Sequence, residues 1–94
     1  MHGEYKMPGG KLIVADVDVA GGKLVQVHVS GDFFLEPDSA LDTINRALTG
    51  LPADAGEHAM AHAVEAALGD EVSMYGISAQ AIAVAVTRAL ENPA

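Results

Sequence analysis

Residue patterning changes once along this chain, and that change restricts the fold more than any other feature. Residues 11–35 alternate and cluster as strands do, whereas residues 38–91 mostly repeat at the three-to-four spacing of helices. In the first part, Ala15, Val17 and Val19 face one way and Asp16 and Asp18 the other. Val25, Val27 and Val29 alternate with Gln26, His28 and Ser30, and Ala20-Gly21-Gly22-Lys23 lies between the two runs as a hairpin signal. A two-residue Gly21-Gly22 turn would set Val17 against Gln26 and put the two apolar rows on opposite faces of the sheet. Pairing Val19 with Val25 and Val17 with Val27 gives one apolar face, which predicts an odd loop of three residues with a left-handed glycine. Leu12, Val14 and Leu24 then point to the other face.

The segments around this hairpin are read from local signals. Gly31-Asp32 interrupts the second strand and predicts a bulge or bend, with Phe33-Phe34-Leu35 as a short further strand. Glu36-Pro37-Asp38-Ser39 is a helix start, Leu41, Ile44 and Leu48 form its buried stripe, and Gly50 stops it. Residues 51–56 connect to a helix over Glu57 to Leu68 with Met60, Val64 and Leu68 on one face, Ala63 and Ala67 beside them, and Gly69 at its end. Asp70 to Ile77 reads as an extended segment or loop. Ser78 caps a last helix reaching Glu91, with Ile82, Ala85, Val86, Ala89 and Leu90 inward. The expected architecture is α+β, a small antiparallel sheet built from a β-hairpin and a short extra strand, with about three helices packed against it.

Composition bounds what such a fold can do. The 94 residues suit one domain, and alanine is 17 of the 47 nominally hydrophobic residues, so the core is thin and leaves no room for a deep substrate cavity. The chain has no cysteine, which excludes disulfides, thiolate-held zinc, iron–sulfur clusters and thiol catalysis. Thirteen acidic against five basic residues, a net charge of −8, argue against nucleic acid and anionic membranes as partners. No run approaches a membrane span, and Met1 to Lys6 lack the layout of a signal peptide, so a cytoplasmic setting is expected.

Few residues carry a chemical signature. Gly9-Gly10-Lys11 evokes a phosphate loop, but Tyr5 and Leu12 stand where that motif needs Gly and Ser or Thr. A strand also follows where the motif requires a helix, so the segment reads as a flexible lead-in with Lys11 solvated. His58, His62 and Glu65, at i, i+4 and i+7, offer a weak metal-ligand face with no fourth ligand, which a solvated helix surface explains more cheaply. Asp16 and Asp18 share an exposed strand face, where both stay ionised and no acid/base division of labour arises. Ser30, Ser39, Ser73 and Ser78 lack a His/Asp companion. No catalytic constellation is visible. What remains is apolar surplus: Leu12, Val14, Leu24, one ring of Phe33-Phe34, and Tyr5 and Met7 in a Pro/Gly-rich arm. It is either a partner surface or a second layer of the domain's own core, and both readings stay open.

The order of motifs resembles a known family. Tyr5-Lys6-Met7-Pro8-Gly9-Gly10-Lys11-Leu12-Ile13-Val14, the Gly21-Gly22 hairpin and Ser30-Gly31-Asp32-Phe33-Phe34-Leu35 with Pro37 are similar to the C-terminal accessory domain of lipoate–protein ligase. Leu48-Thr49-Gly50, Leu51-Pro52-Ala53-Asp54 and Tyr75-Gly76-Ile77-Ser78 extend the resemblance over nearly the whole chain. In that family the module is fused behind the catalytic domain or made as a separate small chain.

The resemblance implies a non-catalytic accessory domain or subunit that supports ATP-dependent activation of lipoate to lipoyl-adenylate by a large catalytic partner. That partner would hold ATP, Mg and lipoate and pass the lipoyl group to a lysine of a lipoyl carrier domain. No activity is expected of this chain alone. By position, Tyr5, Gly9, Gly10, Lys11, Asp32, Phe33 and Phe34 are the candidates for the partner interface, with Lys11 able to approach a phosphate. The fold is also similar to that of sulfur-transfer and iron–sulfur scaffold proteins, whose chemistry a cysteine-free chain cannot perform. The strong acidity departs from what contact with ATP would favour. The alternative from another class is a free-standing homodimeric interaction module that buries the Phe33/Phe34 face against itself.

Overall fold

The computed structural model describes residues 1–31, 39–69 and 77–91 in full, and the backbone of 34–36 and 73–75. In chain order the elements are β1 (His2–Lys6), β2 (Leu12–Ala20), β3 (Lys23–Gly31), β4 (Phe34–Glu36), α1 (Ala40–Leu48), α2 (Glu57–Leu68), β5 (Ser73–Tyr75) and α3 (Ala79–Glu91). β1, β2 and β3 form an antiparallel sheet in that order, and β4 pairs with β5 in a separate antiparallel ribbon. The α+β architecture is that expected, but the sheet's third strand is β1, not the segment after Gly31. That later segment joins a different sheet.

The hairpin between β2 and β3 corrects the expected loop. Ala20 pairs with Lys23 across a two-residue turn, and Gly21 and Gly22 take φ of 60° and 76°, the left-handed pair a type I′ turn requires. The common apolar face is rescued by a bulge. Val19 pairs with Leu24, Asp18 with Gln26 and Val17 with Val27, so Val25 is an extra residue with no partner. The consequence reverses two expectations: Leu24 is fully buried, and Val25, expected inside, is 52% exposed. Val17 does face Val27, as the patterning predicts.

The helices cover one side of this sheet. α3 lies against β1 and β2, α1 against β3, and α2 packs on both α1 and α3. Because α3 touches the sheet on one side and α2 on the other, its buried stripe is wide: Ala79, Ala81, Ala83, Ala85 and Ala89 join Ile82 and Val86. Small residues allow the close approach, and it is tightest at Gly3, which lies under Ala85 and Ala89. On α2, Met60, Val64 and Leu68 are buried as predicted, but Ala61 takes the place expected for Ala63 and Ala67. Ser78 caps α3 through its Oγ, which accepts the Ala81 N–H at 3.1 Å. The 51–56 connector is tied to the hairpin, with Leu24 donating to the Leu51 carbonyl at 2.9 Å and Ala53 to that of Gly22 at 2.8 Å. Among the described residues no helix is long and apolar enough to cross a membrane.

Candidate functional site

The segment expected to be a flexible arm is a second hairpin. Lys6 pairs with Leu12, and the five residues between them close on themselves. Gly10 donates to the Met7 carbonyl at 2.9 Å, and Met7 donates to that of Lys11 at 3.3 Å. Pro8 with Gly9 at φ 70° is the residue pair of a type II turn, proline setting the first central position and glycine the positive φ of the second. Pro-Gly-Gly is therefore turn chemistry here. Gly9 and Lys11 are exposed at the tip, and no atom lies within 4 Å of where a Gly9 Cβ would stand.

Tyr5, on β1, faces the helices and is partly buried against the core, as is Met7. The Arg88 guanidinium lies 4.9 Å from the centre of the Tyr5 ring and donates to the Glu4 carbonyl at 3.1 Å. One arginine thus holds a cation–π contact and covers part of the free edge of β1. Lys6, Lys11 and Arg88, three of the chain's five cations, all belong to this hairpin or the helix turn beside it. Glu4 on the same hairpin and Glu91 on the same helix end stand beside them.

The other interface candidates are placed differently. Phe34 opens β4 and pairs with Tyr75 in the separate two-stranded ribbon; Asp32 and Phe33 lie outside the described residues. The apolar surplus is mostly absorbed by the core. Tyr5 and Met7 pack against it, Leu24 is inside it, and Leu12 and Val14 are half-buried on the opposite face. Among the described residues Val25 is the single exposed large hydrophobic side chain. His58, His62 and Glu65 are exposed on the outer side of α2, and among the described residues no three His, Asp or Glu side chains are grouped so that they could hold a metal ion.

The outer face of the sheet carries a polar cluster that sequence reading did not find. His2 pairs with Asp16 across β1 and β2, and Asp16 with His28 across β2 and β3, so the three stand in one row. His2 Nδ1 is 2.7 Å from Asp16 Oδ1, and its Nε2 is 2.9 Å from Glu4 Oε2. Those hydrogen bonds, Glu4's first and then Asp16's, hold the His2 pKa above its ordinary value. A shallow, half-open depression of about 240 Å³ lies here, lined by His2, Asp16, Asp18, Gln26 and His28 with Met1 and Val17. No single-sequence signal pointed to it, because His2 belonged to a segment not read as a strand.

No family model matches this chain. No curated protein matches it either. A solved structure does: a chain in the structure of an archaeal lipoylation system, a bi-partite lipoate protein ligase and its E2 lipoyl domain from Thermoplasma acidophilum. The match has a TM-score of 0.67 and 21% sequence identity, and covers 92% of this chain and 97% of that one. It spans nearly all of both chains, so the solved chain is about as short as this one. At that identity the likeness is one of fold.

Proposed function

We propose that this chain is a non-catalytic accessory domain or subunit of a lipoate–protein ligase, supporting ATP-dependent activation of lipoate by a separate catalytic partner. The observation that carries this reading is the end-to-end fold match to a chain from a lipoylation system built on a bi-partite ligase. The ordered sequence run from Tyr5 to Val14 supports it independently, since its Pro-Gly-Gly is a built turn and not composition alone.

The β1–β2 hairpin is the contact surface we assign to the partner. Its tip is exposed, its shape is set by backbone hydrogen bonds, and it carries Lys6 and Lys11 with Arg88 beside it. A preformed loop loses little conformational entropy on docking, and its cations suit a partner surface or nucleotide carrying negative charge. ATP, Mg and lipoate belong on the partner, and the lipoyl carrier domain meets this chain only through that partner.

The deciding experiment is lipoyl-adenylate formation measured with this chain alone, a ligase large subunit alone, and the two mixed. The chain alone is expected to form none and the mixture to form it. A large subunit fully active in adenylation by itself overturns the reading.

A further inference from the structure

We propose that His2 is a protonation-controlled clasp on the β1–β2 hairpin, its imidazolium tying the edge strand β1 to Asp16 on β2 and loosening that tie when the proton leaves. Both ring nitrogens face a carboxylate oxygen: Nδ1 lies 2.7 Å from Asp16 Oδ1, and Nε2 lies 2.9 Å from Glu4 Oε2. An ionised carboxylate only accepts hydrogen bonds, and a neutral imidazole carries a single N–H. The arrangement is therefore satisfied in full only by the doubly protonated ring. Loss of one proton sets a nitrogen lone pair against a carboxylate, and one of the two contacts is given up.

The place of this pair in the sheet makes it bear on the strand. Met1 and Val17 exchange backbone hydrogen bonds, the Met1 amine donating to the Val17 carbonyl at 2.9 Å and the Val17 N–H to that of Met1 at 2.8 Å. His2 and Asp16, the next pair along, therefore stand at a non-hydrogen-bonded position, where no backbone bond joins the strands and side chains come closest. The turn after Lys6 closes one end of the hairpin, and this pair lies at the other. Between them the inward row of β1 offers only Gly3, with no side chain to bury, and Tyr5, which is partly buried. A side-chain tie across the strands matters more here than between β2 and β3, whose inward residues fill the core.

The charged and titratable groups around His2 are Glu4 and Lys6 on β1, Asp16 and Asp18 on β2, His28 on β3 and the Met1 amine, while Arg88 reaches from α3 to the Glu4 carbonyl. Its hydrogen bonds, to Glu4 first and then to Asp16, hold the His2 pKa above the ordinary value. A value raised by folding means that the tie is complete below the ordinary histidine value of about 6.5 and is lost as pH rises through the raised one. The clasp is closed in mildly acidic solution and loosened in alkaline solution. It stands apart from the ligase reading and does not depend on it.

The test is an NMR titration of the full chain from about pH 5.5 to about pH 9. The midpoint of the His2 imidazole resonances is expected to fall on Glu4→Gln and on Asp16→Asn. Over the same range the Val17 N–H is expected to lose about threefold of its protection from hydrogen exchange, corrected for the intrinsic rate, relative to the Val29 N–H on β3. His2→Gln keeps a polar side chain that does not titrate, and its Val17 protection is expected to stay flat across the range. The Met1 amine is retained in that variant, which separates its titration from that of His2. His28→Gln is expected to change neither readout. All the substituted positions are solvent-exposed, and circular dichroism checks that each variant folds. A His2 midpoint unmoved by both carboxamide variants, a Val17 protection that does not change with pH, or a pH dependence that survives His2→Gln overturns the proposal.

Discussion

At Gly3 a Cβ atom would stand 2.2 Å from the Ala89 backbone nitrogen and 2.6 Å from the Ala85 carbonyl oxygen. Both are helix backbone, which cannot turn aside as a flexible side chain can. Gly3→Ala is therefore expected to destabilise the protein by about 2–4 kcal/mol, read from denaturant unfolding, as α3 is forced off the sheet. Nothing local marks Gly3 as special, since its constraint comes from a helix more than eighty residues away. Leu24 and Val25 teach the same lesson from inside a recognised strand. Leu24→Ala is expected to cost about 2–5 kcal/mol and Val25→Thr to stay within about 0.5 kcal/mol in the same measurement. The opposite order would show that the bulge is absent and that unbroken alternation describes β3.

At the scale of elements, the helices were readable where their signals are local. α2 runs from Glu57 to Leu68 as expected, because Gly56, the Met60-Val64-Leu68 stripe and Gly69 all act within a few residues. The start of α3 rests on Ser78, and Ser78→Ala is expected to lower stability by about 1 kcal/mol through loss of the bond to the Ala81 N–H. The strands were less readable. β1 presents Gly3 and Tyr5 to the helices, and the glycine in this inward row erases the alternation that would announce a strand. The β1–β2 hairpin therefore reads locally as a flexible lead-in. β3's outer edge is finished by tertiary contact as well: the Asn45 side chain on α1 accepts the Val29 N–H at 3.0 Å. Asn45→Ala leaves that donor without a partner, and a loss of about 1–2 kcal/mol is expected on thermal or denaturant unfolding.

Across the whole molecule, charge and apolar exposure bear on how the chain meets a partner. Val25 is the single exposed large hydrophobic side chain among the described residues. Docking of the hairpin tip would then be led by shape and by its cations. Lys11→Glu is expected to reduce stimulation of a catalytic partner about tenfold while leaving the unfolding midpoint unchanged, since Lys11 is solvent-exposed. Equal stimulation by the variant would move the contact away from this tip.

By itself the sequence determined the absence of thiol chemistry, the order of strand-rich and helix-rich halves, the helix boundaries and the Val17–Val27 facing. Each follows from composition or from periodicity within one segment, where a side chain's direction is set by its own backbone. The tertiary structure decided that β1 is a strand, that Val25 is bulged outward so that Leu24 enters the core, that β4 leaves the first sheet, and that His2 meets Asp16. Those outcomes depend on pairing between residues distant in the chain, and the free energy that selects them comes from contacts no local window contains.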